Sequence, residues 1–130
     1  MIEVTAAILE EGNKIMIARR VQGKHLAGFW EFPGGKIEQD ETPEICLIRE
    51  LKEEFEIDVT IGNYIGESIF EYPEKTIRLK AFTCEIINGK MKLNDHDKIE
   101  WIKLEEIANY NLAPADLPLI ELYDKARNNR

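Results

Sequence analysis

Two cysteines, Cys46 and Cys84, among 130 residues are too few for a disulfide framework or a thiolate zinc site, so each is expected as a buried, reduced thiol. Positive charge is also scarce: 17 Lys and Arg stand against 25 Asp and Glu, a formal charge of −8. A non-specific nucleic-acid binder or a membrane-surface protein needs a basic face, so both classes are disfavoured. A small polyanion stays compatible as a ligand, provided a metal and local Lys or Arg neutralise it. No apolar run approaches the ~18 residues of a membrane span. The N-terminus alternates around Glu3 without a basic leader, and a soluble, cytoplasmic chain is expected. Repeats and low-complexity tracts are absent. What is present, 44% hydrophobic residues, suits one domain over 1–130 with a single core.

In chain order, residues 2–9 read as a β-strand, residues 10–13 as a hairpin turn and residues 14–20 as the answering strand. Arg19 and Arg20 lead into a loop with Lys24 and His25, clustering positive charge where Arg20 or His25 could meet a phosphate or sugar. In Phe29-Trp30-Glu31-Phe32-Pro33, Trp30 and Phe32 are expected as core or pocket walls, with Glu31 on the opposite face. Gly34-Gly35 permits backbone angles that other residues avoid, so a main-chain carbonyl could be presented to a metal. Lys36 follows, placed to neutralise a pyrophosphate. Residues 59–70 predict a strand bent at Gly62 and Gly66. Residues 72–75 predict a turn, and residues 77–87 a strand that Asn88-Gly89 turns back into residues 90–93. Residues 99–104 predict a strand, residues 104–108 a helical turn, and Leu117, Ile120, Tyr123 and Ala126 one face of a closing helix. Strands, a helix, more strands and a terminal helix imply an α/β fold, a mixed sheet with helices on both faces.

Residues 34–57 read GGKIEQDETPEICLIRELKEEFEI. Thr42 suits a helix N-cap and Pro43 the first helical position, where its missing N–H is no loss. Ile45, Ile48, Leu51 and Phe55 form the expected buried stripe. Glu50, Glu53 and Glu54 share another face, where their mutual repulsion disfavours the helix by a few tenths of a kcal/mol per pair. A divalent cation reverses that sign, and an all-oxygen set suits Mg2+ or Mn2+ over zinc. Arg49, one turn before Glu53, can fix that carboxylate by a salt bridge. A solvated acidic face is the plain alternative.

The ordered string Gly35, Glu41, Arg49-Glu50-Leu51, Glu53-Glu54 and Ile57 resembles the Nudix box. One position departs: Glu56 stands where the family usually has a glycine that ends the helix in a left-handed conformation, which a non-glycine residue adopts at about 1–2 kcal/mol. Residues 20–36 and the segment Leu112-Ala113-Pro114-Ala115-Asp116-Leu117-Pro118-Leu119 are similar to the MutT-like branch, the latter and the opening Met1-Ile2-Glu3-Val4 more so to its CTP pyrophosphohydrolases.

The resemblance implies a Nudix α/β/α sandwich and a Mg2+- or Mn2+-dependent hydrolase that cuts a nucleoside triphosphate to a monophosphate and pyrophosphate. It acts on 8-oxo-dGTP, for nucleotide-pool sanitation and DNA repair, or alternatively on CTP, dCTP or 5-methyl-dCTP; a nucleotide-sensing module with a dead box is the non-enzymatic rival. The family's metal ligands fall on the Gly34 carbonyl, Glu53 and Glu54, with Glu50 a ligand or the general base. Glu100 is a further ligand, with Asp95 its rival. Arg49 and Lys36 join the catalytic group. Substrate contacts fall on Arg20, His25, Glu31, Phe32, Pro33, Gly34, Tyr72, Lys75 and Asp116. Asp116 stands where the 8-oxoguanine enzymes have asparagine; an ionised aspartate only accepts hydrogen bonds, and donates only when protonated. N-capping of the last helix is its plain role. The implied partner is a nucleoside triphosphate, with no nucleic-acid polymer and no membrane, in a monomer or homodimer.

Overall fold

A computed structural model describes residues 1–23 and 26–129, so the expectations for Lys24 and His25 lie outside the described residues. Seven strands and two helices follow in order: β1 (Ile2–Glu11), β2 (Lys14–Arg20), β3 (Trp30–Glu31), β4 (Gly34–Lys36), α1 (Pro43–Phe55), β5 (Asp58–Tyr72), β6 (Lys75–Asn88), β7 (His96–Ile102) and α2 (Leu117–Asn128). Two 3-10 turns, Leu104–Asn109 and Pro114–Asp116, precede α2.

The sheet is mixed. β1 runs parallel to β6, every other pairing between these strands is antiparallel, and an isolated parallel bridge joins Trp30 to Leu112. The β1 strand holds β4 through Val4–Ala6 and β2 through Glu10–Glu11, so the two halves of the sheet diverge along one edge of β1. Between them, the Ala7 N–H donates to the Pro33 carbonyl at 2.7 Å. Alternation along β1 feeds two cores, as a strand buried on both faces must. Ala6 and Ile8 pack with Ile17, Leu79, Leu119 and Tyr123 on the α2 side. Ala7 and Leu9 pack with Met16, Leu47, Leu51 and Phe55 on the α1 side. The result is the α/β/α layering expected, with a helix on each face.

Helix α1 begins as the sequence indicates. Thr42 Oγ1 accepts the Ile45 N–H at 3.1 Å and Pro43 opens the helix. The buried stripe differs: Cys46, Leu47, Leu51 and Phe55 face the sheet, whereas Ile45 and Ile48 are 54% and 44% exposed. The helix has turned so that Cys46 and Glu50 face the β4 backbone. In α2 Tyr123 is inward as expected and Ile120 packs beside it, but Leu119 takes the buried place expected of Leu117, which is exposed.

The Asn88-Gly89 hairpin does not form, and residues 90–93 are not a strand. Lys92 N–H donates to the Phe55 carbonyl and Asn94 N–H to the Glu54 carbonyl, at 2.9 and 3.0 Å. The segment satisfies the orphan carbonyls at the end of α1 instead of pairing with β6. Gly89, at φ 101°, lies so close to the Glu56 carbonyl that a Cβ would come within 2.6 Å of it. Glu56 itself adopts the left-handed conformation (φ 57°, ψ 37°) that the family's glycine normally supplies, and its N–H closes the helix on the Lys52 carbonyl. The bends expected in β5 are present, with register shifts on both sides of Tyr64.

Candidate active site

The β4 strand brings the glycine turn against α1. Neither Gly34 nor Gly35 has a positive φ, so their backbone freedom is not what the fold uses. Their missing side chains are: a Cβ on Gly34 would collide with the Thr5 carbonyl, and one on Gly35 with the Glu50 carboxylate. Glycine here lets the helix's acidic face approach main chain closely.

Arg49 organises that face. Its Nε and Nη2 donate to the two oxygens of Glu41 at 2.5 and 2.9 Å, a bidentate pair. Nη1 donates to Glu50 at 2.9 Å and to Glu53 at 3.3 Å, and Nη2 also reaches the Lys36 carbonyl at 3.2 Å. The bridge to Glu53 expected from spacing is therefore present but is the longest of these carboxylate contacts. Glu41 is the principal partner. Hydrogen bonds from Arg49 hold the Glu41 carboxyl down at about 2, and those same bonds raise Arg49 well above its usual range.

The other carboxylates are pushed the opposite way. Burial raises Glu50, with Arg49 opposing and Glu53 and Glu41 adding repulsion. Burial, then repulsion from Glu50, Glu31 and Asp95, raises Glu54 to about 9. Its Oε1 is buried without a hydrogen-bond partner among the described residues. A buried carboxylate ringed by carboxylates and lacking a donor has the electrostatics of a cation ligand. Oxygen donors alone suit a hard ion such as Mg2+. Among the described residues no three such groups are already closed around one point; of the expected donors Gly34 and Glu54 line a cleft, and Glu50 and Glu53 are not part of its lining.

That cleft is lined by Arg20, Glu31, Phe32, Gly34, Glu54, Tyr72, Lys75 and Asp116, so most of the substrate contacts expected from the sequence converge on it. Pro33 is buried and is not part of the lining. Lys36 is exposed and is not part of the lining; its carbonyl, not its ammonium, is tied to the site. Glu100 pairs across the sheet with Ile17, on the row facing α2, and its carboxylate meets Lys98 at 3.3 Å. The face opposite α1 is the wrong one for the Glu54 cluster. Asp95 instead lines a small polar cavity with Glu54, Glu31, Arg20 and His96, so it is Asp95 and not Glu100 that the fold brings to the Glu54 cluster.

Asp116 is buried at the far end of the cleft. Its side chain caps no helix; Oδ2 accepts the Phe32 N–H at 2.8 Å. Burial and then the Glu31 charge raise its carboxyl to about 8, against the Phe32 hydrogen bond and Arg20. Nearby, Tyr72 Oη accepts the Ala115 N–H at 3.2 Å. Sequence reasoning passed over His96, which is buried and bonded to Glu31; its only local signal was a histidine next to a candidate acid. Apolar Ile77, Leu79 and Ala115 in the cleft wall had no signal beyond strand and turn patterning.

A family model described as a NUDIX domain matches residues 4–122. The chain is 41% identical to the CTP pyrophosphohydrolase of Escherichia coli (strain K12), covering 100% of this chain and 96% of that protein. It is 35% identical to the 8-oxo-dGTP diphosphatase of the same strain, over 87% of this chain and 88% of the relative. The solution structure of the E. coli ORF135 protein superposes with a TM-score of 0.86 at 40% identity, covering 100% of this chain and 93% of that one. The box residues, the layered fold and these relatives agree: the chain belongs to the NUDIX domain family, whose members here are enzymes acting on pyrophosphate bonds.

Proposed function

We propose that this Nudix hydrolase is a divalent-metal-dependent nucleoside triphosphate pyrophosphohydrolase that releases a nucleoside monophosphate and pyrophosphate. The observation that carries the reading is Glu54: a half-buried carboxylate in the wall of the same cleft as Arg20, Tyr72 and Asp116, whose buried Oε1 has no hydrogen-bond partner among the described residues. The Gly34 carbonyl, Glu50, Glu53 and Glu54 would hold Mg2+ or Mn2+, with Asp95 a further donor. When bound, the ion offsets the charge of the phosphates and lowers the pKa of water. Glu50 takes the proton from the attacking water, and Arg49 keeps Glu50 and Glu53 in place. Arg20 and Lys75 bring positive charge to an otherwise acidic cleft.

At the base end, Asp116 with its carboxyl near 8 is largely neutral at neutral pH. A neutral carboxyl donates as well as accepts, as an amide does, which lifts the objection to aspartate at an 8-oxoguanine reader. This supports 8-oxo-dGTP as a substrate. The second reading, a cytosine triphosphate, is favoured by the full-length similarity to a CTP pyrophosphohydrolase; there the Asp116 carboxyl accepts a hydrogen bond from the cytosine amino group, which it can do in either protonation state.

The test is a kcat/KM panel of 8-oxo-dGTP, dGTP, CTP, dCTP and 5-methyl-dCTP with Mg2+, with the inorganic product identified without added pyrophosphatase. Pyrophosphate is expected as the first product; orthophosphate alone would contradict the cleavage position.

A further inference from the structure

Glu31 belongs to two walls at once. It lines the main cleft, and it lines the smaller cavity shared by Arg20, Glu54, Asp95 and His96. Each of its carboxylate oxygens has its own donor: Oε1 accepts from Arg20 Nη1 at 2.9 Å, and Oε2 accepts from His96 Nε2–H at 2.7 Å. The imidazole is 3% exposed and stacks on Phe55, the last residue of α1, with centroids 5.1 Å apart and planes 16° from parallel. Its Nδ1 is buried with no partner among the described residues. A proton on Nδ1 would have no acceptor there, whereas one on Nε2 meets a carboxylate, so the tautomer is set by geometry.

A ring held by stacking aims its donor in one direction. With Oε2 taken by His96, Glu31 can offer Arg20 only Oε1, a single-point contact. Without the imidazole donor, the buried carboxylate is driven to engage Arg20 through both oxygens, the geometry that guanidinium and carboxylate prefer.

We propose that His96 is a positioning residue: through Glu31 it sets the orientation of the Arg20 guanidinium in the cleft wall, and so governs substrate binding while leaving the chemistry on α1 to its carboxylates. This rests on the reading that a nucleoside triphosphate occupies the cleft.

His96→Phe keeps a ring on Phe55 and removes the donor; His96→Gln places an amide N–H near the position of Nε2. Loss of a hydrogen bond to a charged group predicts about a tenfold rise in KM for His96→Phe, with kcat within about twofold of wild type. His96→Gln should restore KM to within about threefold. In a Glu31→Gln background, His96→Phe should add no further rise. Equal KM for wild type and His96→Phe, or equal loss in the Phe and Gln variants, would overturn the proposal. A nitrogen NMR spectrum of the wild-type imidazole covers the case in which His96→Phe does not fold: the Nε2-protonated tautomer is expected, and an Nδ1-protonated ring contradicts the contact. That spectrum needs no turnover, so a wild type that hydrolyses no nucleoside triphosphate defeats the functional reading and is told apart from failure of the His96–Glu31 contact.

Discussion

Asp116 shows how one side chain can carry information that its residue type alone withholds. From sequence, it was an acid that could cap a helix or face a base. In the structure its side chain caps no helix, and burial beside Glu31 raises its carboxyl to about 8. Below that value the neutral group can donate to a purine carbonyl; above it the carboxylate only accepts. The ratio of kcat/KM for 8-oxo-dGTP to that for CTP should therefore fall as pH rises through about 8. In Asp116→Asn, which has no such titration, the ratio should be flat. Parallel pH profiles in the two proteins would remove Asp116 from base reading. None of the partners that set this chemistry is local: Phe32 is 84 residues away and Glu31 lies next to it. His96 escaped the sequence for the same reason, since its carboxylate is 65 residues distant.

At the scale of elements, helix α1 was legible where its signals are local and misread where they are not. Thr42 and Pro43 mark its start, and Thr42→Ala should lower stability by about 1 kcal/mol, measured by urea unfolding. Its end is a left-handed glutamate. Glu56→Gly should relieve about 1 kcal/mol of backbone strain, partly offset by loss of the Glu56 contacts with Asn94 and Lys92. A marked destabilisation by that change would mean those contacts outweigh the strain. The buried stripe was misassigned because apolar spacing cannot tell which row faces a sheet when the site also draws Cys46 and Glu50 towards β4. The Asn88-Gly89 signal failed similarly: hairpin chemistry is local, whereas Lys92 and Asn94 find their acceptors on α1, 37 and 40 residues back.

For the whole molecule, the layered fold followed from strand and helix order alone, but the cleft depends on how β1 divides its pairing between β4 and β2. The molecule carries acids whose carboxyls are displaced in opposite directions. Glu41 is held at about 2, so its stabilising contribution is present above its unfolded value of 4.5 and is lost only as pH falls towards 2. Glu54 and Asp116 are raised to about 9 and about 8 from 4.5 and 3.8. Their neutral forms favour the fold, fully below the unfolded values, and that contribution is lost as pH rises through the folded ones. The Tm of the metal-free protein should therefore decline from about pH 5 to about pH 9, and Mg2+ should raise Tm more at the alkaline end, where Glu54 is ionised. A Tm gain from Mg2+ that is equal across this range would argue that Glu54 is not a ligand.

The central claim is that the Glu54 face of α1 holds the ion with which a nucleoside triphosphate is cut. Its most direct test is Mg2+-dependent turnover of the best substrate from the panel by wild type and Glu54→Gln, with unfolding curves to show that the fold persists. A fall in kcat/KM on the order of 10²-fold or more is expected, with pyrophosphate as the wild-type product; wild-type turnover by a folded Glu54→Gln enzyme would contradict the account.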